Sequence, residues 1–231
     1  MTKKRILVVD DELGIIKFLR ARLEARGYEV LTAVDGAGAL QTVEMELPDL
    51  VIMDITMPKI DGFEVCHRIR EWSQIPIIML SARGDESDKV KCLDLGADDY
   101  ITKPFGANEL TARVQAALRR NEKTTYLPGQ PSFTIGDLLI NFSKHQVTIA
   151  DKEIKLTPTE YNLLQELALN AGKVLTYTHL LNKVWGPDYR DEKEYLHVFV
   201  GRLRAKLELN INDPKYIITV PRVGYILQTS E

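Results

Sequence analysis

The chain has 231 residues, 45% of them hydrophobic, with 30 Lys and Arg against 33 Asp and Glu, a formal net charge of −3. This length suits one large or two ordinary domains, and the lack of a long uncharged apolar run speaks against a membrane-spanning helix. The only cysteines, Cys66 and Cys92, have neither metal-type spacing nor clustered histidines near them, which argues against a zinc site or a disulfide framework.

Residues 1–5 are basic like the start of a signal peptide, but the apolar stretch behind them ends after four residues at Asp10 and Asp11, so a cytoplasmic location is expected. Strand-like runs lie at Ile6-Leu7-Val8-Val9, Leu50-Val51-Ile52-Met53, residues 75–80 and Tyr100-Ile101-Thr102. Between them run segments of helical period, such as 15–23, 63–69 and 110–118. Strand then helix, repeated five times, predicts an α/β fold over residues 1–121, a doubly wound five-stranded parallel sheet. Ligands of such sheets bind beyond the carboxyl ends of the strands, near the point where strand order reverses. Asp10, Asp11, Asp54, Ser81 and Lys103 each stand where an apolar run stops.

Residues 122–132 contain Pro128-Gly129 and Pro131 with few apolar side chains, and are expected to be a linker. From 133 to 231 the pattern becomes α+β. Pieces at 133–135, 138–142, 146–150 and 153–156 predict a small antiparallel sheet. Thr157-Pro158-Thr159-Glu160 joins a capping box to a proline at the first helical position, so a helix is expected over 158–170, stopping at Gly172. Helical patterns at 177–185 and 192–207 and a hairpin of 216–220 with 225–228 complete the outline of a winged helix. Residues 1–121 carry 17 Lys and Arg against 20 Asp and Glu, and the remainder 13 against 13. Bulk charge therefore does not announce nucleic acid, and any DNA argument rests on local clusters.

Phosphoryl transfer needs an oxygen nucleophile, a divalent cation and fixed donors for the moving charge. Asp10, Asp11 and Asp54 would crowd one crevice, an arrangement that a hard cation such as Mg²⁺ neutralises. Lys103 adds a fixed positive charge, Ser81 a hydroxyl, and Thr56 a backbone carbonyl for the metal. One acidic residue after a strand is usually a loop solubiliser; five such groups at successive strand ends argue for a site. Phosphatases of the haloacid-dehalogenase type also use an aspartate nucleophile, with a second aspartate two residues later. Those positions here hold Thr56 and Glu12, so their general acid is missing.

Val9-Asp10-Asp11-Glu12, Met53-Asp54, Met57-Pro58, Asp61-Gly62, Ser81-Ala82, Gly96-Ala97-Asp98-Asp99-Tyr100 and Lys103-Pro104-Phe105 make residues 1–121 resemble the receiver domain of two-component response regulators. The resemblance implies that Asp54 accepts a phosphoryl group from a sensor histidine kinase. It implies Mg²⁺ held by Asp10, Asp11, Asp54 and the Thr56 carbonyl, with Ser81 and Lys103 on the phosphoryl oxygens and a cis peptide before Pro104. It also implies a switch in which Ser81 orders toward the phosphoryl group as Tyr100 turns inward. A homodimer would form on phosphorylation through Lys89, Asp98, Asp99, Glu109, Arg113 and Arg119. Such a chain is a transcription factor, catalysing only its own phosphoryl transfer and dephosphorylation.

The segment 194–207 places Leu196, Phe199, Val200, Leu203 and Leu207 on one helical stripe and leaves His197, Arg202, Arg204 and Lys206 for other faces, a pattern that suits a recognition helix. Leu156-Thr157-Pro158-Thr159-Glu160-Tyr161, Val184-Trp185-Gly186, Arg202-Leu203-Arg204-Ala205-Lys206-Leu207 and Val223-Gly224-Tyr225 make residues 133–229 resemble the winged-helix effector domain of the OmpR/PhoB family. That implies double-stranded DNA as a partner, contacted by His197, Val198, Gly201, Arg202 and Arg204. It also implies a surface for RNA polymerase in the loop holding Trp185, Pro187, Asp188, Tyr189 and Arg190. The wing position that usually offers arginine or tryptophan to the minor groove falls on Pro221, and Arg222 is expected to substitute. Residues 186–191 and 195–200 further resemble the branch containing regulators of the high-affinity potassium-pump operon. A phosphorylation-independent DNA-binding regulator is the alternative; the intact Asp10, Asp11, Asp54, Ser81 and Lys103 argue against it.

Overall fold

The computed structural model describes residues 3–82, 86–121 and 132–229, in two compact units, Met1–Arg119 and Arg120–Glu231. Of the expected linker, 122–131 lies outside the described residues.

The first unit alternates β1 (Arg5–Val9), α1 (Leu13–Glu24), β2 (Glu29–Ala33), α2 (Gly36–Glu46), β3 (Leu50–Asp54), α3 (Gly62–Trp72), β4 (Ile77–Ser81), α4 (Glu86–Asp94), β5 (Asp99–Thr102) and α5 (Ala107–Asn121). Its five strands form one parallel sheet in the order β2-β1-β3-β4-β5. Successive strand residues point to opposite faces, so Leu7, Val9, Val51, Met53, Ile77 and Met79 fill one core while Ile6, Val8, Leu50, Ile52, Ile78 and Leu80 fill the other. Burial on both faces is what turns these strands into continuous apolar runs. β2 has no such run, because it is an edge strand whose residues are mostly half-exposed. β4 starts at Ile77, two residues later than the apolar run; Pro76 has no N–H, and its carbonyl accepts from Val51 at 3.0 Å.

The second unit opens with a four-stranded antiparallel sheet, β6 (Ser132–Ile135), β7 (Leu138–Asn141), β8 (Gln146–Ile149) and β9 (Lys152–Glu153). Then come α6 (Pro158–Leu169), β10 (Leu175–Thr176), α7 (Tyr177–Val184), a 3-10 turn over Pro187–Tyr189, α8 (Lys193–Leu207), β11 (Ile217–Val220) and β12 (Gly224–Leu227). β9 is shorter than the expected 153–156, although the Ile154 N–H still reaches the Val147 carbonyl at 2.9 Å. The capping box of α6 is formed from both sides, Thr157 accepting from Glu160 N–H and Glu160 from Thr157 N–H. β10 gives no sequence signal, being two residues long; it joins a three-stranded sheet ordered β10-β12-β11. That junction requires Gly224, where a Cβ would stand 1.8 Å from the Leu175 carbonyl oxygen. Trp185, Tyr195 and Phe199 are fully buried between α7 and α8, with Trp185 edge-on to Phe199 at 5.1 Å.

Candidate phosphoacceptor site and recognition helix

β1 and β3 are hydrogen-bonded neighbours on either side of the point where strand order reverses, so Asp10, just past β1, and Asp54, the last residue of β3, come together. Both are buried. Lys103, just past β5, reaches across β4 and places its ammonium 2.8 Å from Asp10 Oδ2 and 2.7 Å from Asp54 Oδ1. The loops fix the remaining oxygens: Glu12 N–H donates to Asp10 Oδ1 at 2.9 Å and Thr56 N–H to Asp54 Oδ2 at 3.0 Å. Gly62 lets α3 begin against this strand end, since a Cβ there would lie 2.4 Å from the Asp54 carbonyl oxygen. The Asp61-Gly62 pair carries no sign of this packing role in sequence.

The electrostatics follow from the burial. Asp54 is pushed above its ordinary value first by loss of water; Lys103 opposes this, Asp10 adds to it, and the Thr56 amide opposes it. Lys103 loses water too, which favours its neutral form, but its bonds and charge contacts with the two carboxylates outweigh that and hold it above its ordinary value. The peptide before Pro104 is cis. Ser81, at the end of β4, is buried, and Tyr100 is turned inward with its hydroxyl bonded to the Ser81 and Thr102 side chains.

The three carboxylates do not converge. Asp11 is exposed, and among the described residues no three Asp, Glu, His or Cys side chains gather as a metal-binding group. The reason is geometric: Lys103 stands between Asp10 and Asp54, while Asp11 lies on the solvent side of the turn. The donor set nonetheless fits Mg²⁺, since Asp10, Asp54, the neighbouring Asp11 and the Thr56 carbonyl are all hard oxygen ligands.

The expected dimer face needs correction at Asp98, which is wholly buried. Its Oδ2 accepts from Arg70 on α3 at 2.9 Å and from Ile77 N–H at 3.1 Å, so it is a tie between α3 and the sheet and is not a surface charge. Asp99 is buried beneath Arg113, which pairs with it at 3.0 Å and with Glu109 at 3.1 Å. Glu109 and Arg119 are exposed and Lys89 half-buried.

In the second unit the structure separates the expected DNA contacts. His197 is exposed and Gly201 half-buried, four residues apart on one face of α8. Val198 is buried, a correction that follows from its place on the inner stripe. Arg202 is turned inward: its guanidinium lies 2.8 Å from the fully buried Glu160 and over the Phe199 ring at 4.6 Å. Lys206 pairs with the same carboxylate at 2.6 Å. A buried acid on α6 draws both cations inward, and the capping-box pattern announced Glu160 only as a cap. Arg204 donates to the Ile217 carbonyl and to Thr219 Oγ1 at 2.7 and 2.8 Å, bracing β11. Arg222 is exposed at the tip between β11 and β12, with φ of +66°. In the loop after α7, Trp185 and Tyr189 are buried anchors and cannot meet a partner; Pro187, Asp188 and Arg190 are exposed.

A five-stranded parallel sheet with an Asp–Lys–Asp cluster at its carboxyl edge, followed by three helices and a wing, defines a receiver joined to a winged helix. The chain matches the response regulator receiver domain over residues 6–115 and the C-terminal domain of transcriptional regulatory proteins over 151–227. It is 44% identical to the transcriptional regulatory protein KdpE of Mycobacterium tuberculosis, over 95% of this chain and 97% of that one. It is 43% identical to the alkaline phosphatase synthesis regulator PhoP of Bacillus subtilis, over 97% of each. Among solved structures it superposes on a RitR mutant with a TM-score of 0.80 at 28% identity, covering 98% of this chain and all of that one. It superposes on DrrB of Thermotoga maritima, an OmpR/PhoB homolog, at 0.53 and 32% identity, again covering 98% of this chain and all of that one. The chain belongs to the OmpR/PhoB family of two-component transcriptional response regulators. Nearly equal identities to regulators of different names do not single out the potassium-pump branch.

Proposed function

We propose that this regulator is switched by phosphorylation of Asp54. The observation that carries the reading is the buried Asp10–Lys103–Asp54 cluster at the point of strand reversal. An Asp54 oxygen attacks the phosphorus of a kinase phosphohistidine, the P–N bond breaks, and the imidazole leaves. Lys103 offsets charge on the phosphoryl oxygens, and Ser81 donates its hydroxyl to one of them. Mg²⁺ would be held by Asp10, Asp11, Asp54 and the Thr56 carbonyl and would supply the charge neutralisation that three carboxylates and an incoming phosphoryl group require. Burial raises Asp54 and disfavours its anion, and the Lys103 ammonium opposes this, which keeps a carboxylate oxygen available as the nucleophile.

The signal leaves through Ser81 and Tyr100, whose side chains are bonded to each other. Their arrangement biases the face of α4, β5 and α5, where Lys89, Glu109, Arg113 and Arg119 offer charges of both signs to a second copy. Exposed pairs contribute little each, so phosphorylation shifts a weak monomer–dimer equilibrium. The winged helix carries α8 into the major groove, with Arg222 at the wing tip near the backbone and Pro187, Asp188 and Arg190 open to RNA polymerase. Sedimentation of the full chain with Mg²⁺ and beryllofluoride, a phosphoryl stand-in, tests the switch. Dimerisation of the wild type but not of Asp54→Ala is expected; a dimer regardless of treatment would favour constitutive action.

A further inference from the structure

Once Arg202 is bound to Glu160, Arg204 to β11 and Val198 to the core, the outward face of α8 offers the exposed His197, one turn after the exposed Lys193 and beside the bare Gly201. His197 is exposed yet held in place. Its Nδ1 lies 2.7 Å from the Tyr225 hydroxyl on β12, and its ring meets Tyr177 and Tyr225 edge-on at 5.5 and 6.3 Å. Two tyrosines, one from α7 and one from the wing, thus fix the imidazole on α8. Lys193 above Tyr177 and Arg204 above Tyr225, at 5.9 and 5.8 Å, add positive charge around it.

The network also selects the tautomer. Tyr225 is buried, and burial pushes its hydroxyl up to about 12, so it keeps its proton at neutral pH. A buried hydroxyl proton needs an acceptor, and His197 Nδ1 is placed to be one. Nδ1 then accepts, which leaves the ring proton on Nε2 as a donor directed away from Tyr225. In the major groove guanine presents two adjacent acceptors, N7 and O6, whereas adenine presents one beside a donor, thymine one beside a methyl group, and cytosine only a donor.

We infer that His197, oriented by Tyr225, is the base-reading residue of α8 and selects guanine in the major groove. This rests on the placement of α8 in the groove proposed above, and Tyr225 acts as a positioning residue.

The full chain, treated with beryllofluoride and Mg²⁺, is used to select duplexes from a random pool, and each guanine of the selected sequence is then replaced in turn. The wild type should lose about fivefold to tenfold in affinity at one guanine per half-site, the size expected of one hydrogen bond to a base. His197→Ala should lose that discrimination and keep the others. Tyr225→Phe should weaken it while far-UV circular dichroism stays unchanged. An unaltered guanine preference in His197→Ala overturns the inference, as does an equal loss on every duplex, which marks a phosphate contact. Full wild-type discrimination in Tyr225→Phe overturns the part given to Tyr225. A wild type that binds no duplex overturns the groove placement itself.

Discussion

Arg202→Ala distinguishes a structural cation from a DNA contact. The guanidinium it removes is one of two cations facing a fully buried Glu160, the other being Lys206 at 2.6 Å. Stripping one partner from a buried ion pair costs about 3–5 kcal/mol when the remaining charge is left alone. Glu160 keeps Lys206 and the Thr157 N–H at 2.8 Å, so a loss of about 2 kcal/mol is the reasoned figure. For a unit of about 100 residues that lowers the midpoint by about 10 °C. Thermal unfolding followed by near-UV dichroism at the buried Trp185 reports on this unit. Glu160→Leu with Arg202→Met should not recover the loss, because it leaves the Lys206 ammonium and the buried Thr157 N–H without the carboxylate they share. A midpoint moved by less than about 2 °C in Arg202→Ala, together with a salt dependence of DNA binding shallower by about one unit, would refute the reasoning and return Arg202 to the phosphate contacts.

Other consequences concern the receiver. Asp54 is raised above its unfolded value of 3.8, so between the two values the folded state holds a proton that the unfolded chain has lost. Its contribution to stability therefore falls as pH rises through that window, and Asp54→Asn should remove this slope and melt higher at neutral pH in chelator. Mg²⁺ at tenfold its dissociation constant should stabilise the wild-type receiver by about 1.4 kcal/mol in denaturant titrations, a gain that chelation removes. Asp11→Ala should reduce the gain, and an unchanged gain would take Asp11 out of the metal site. Tyr100→Phe keeps the buried ring but loses the hydroxyl bonds to Ser81 and Thr102, so beryllofluoride should drive less dimer at equal concentration in sedimentation.

The parallel sheet was readable because burial on both faces forces each central strand into an unbroken apolar run, and because chemistry collects where those runs stop. Asp10, Asp54 and Lys103 are brought together from far apart in the chain by topology alone, which the alternation of strands and helices already implied. Side-chain direction was less readable. Helical spacing placed Arg202 off the apolar stripe but carried no sign of the acid waiting for it on α6, since Glu160 satisfied a local capping pattern. Asp98 follows the same logic: from its place just before β5 it pairs with Arg70 at 2.9 Å, a partner 28 residues away on α3. Tyr225 and Tyr177 around His197 carry no signal either, because aromatic rings on separate elements leave no period in sequence. The buried Trp185 and Tyr189 show the same limit, since a loop can be held by its own aromatics.

The central claim, that Asp54 is the phosphoacceptor, is tested most directly by the intact mass of the full chain after incubation with Mg²⁺ and a small phosphodonor such as phosphoramidate. The wild type should gain the mass of one phosphoryl group, lost again in alkaline hydroxylamine, and Asp54→Asn should gain none. An equal gain in both proteins, or none in the wild type with Mg²⁺ bound, would contradict the account.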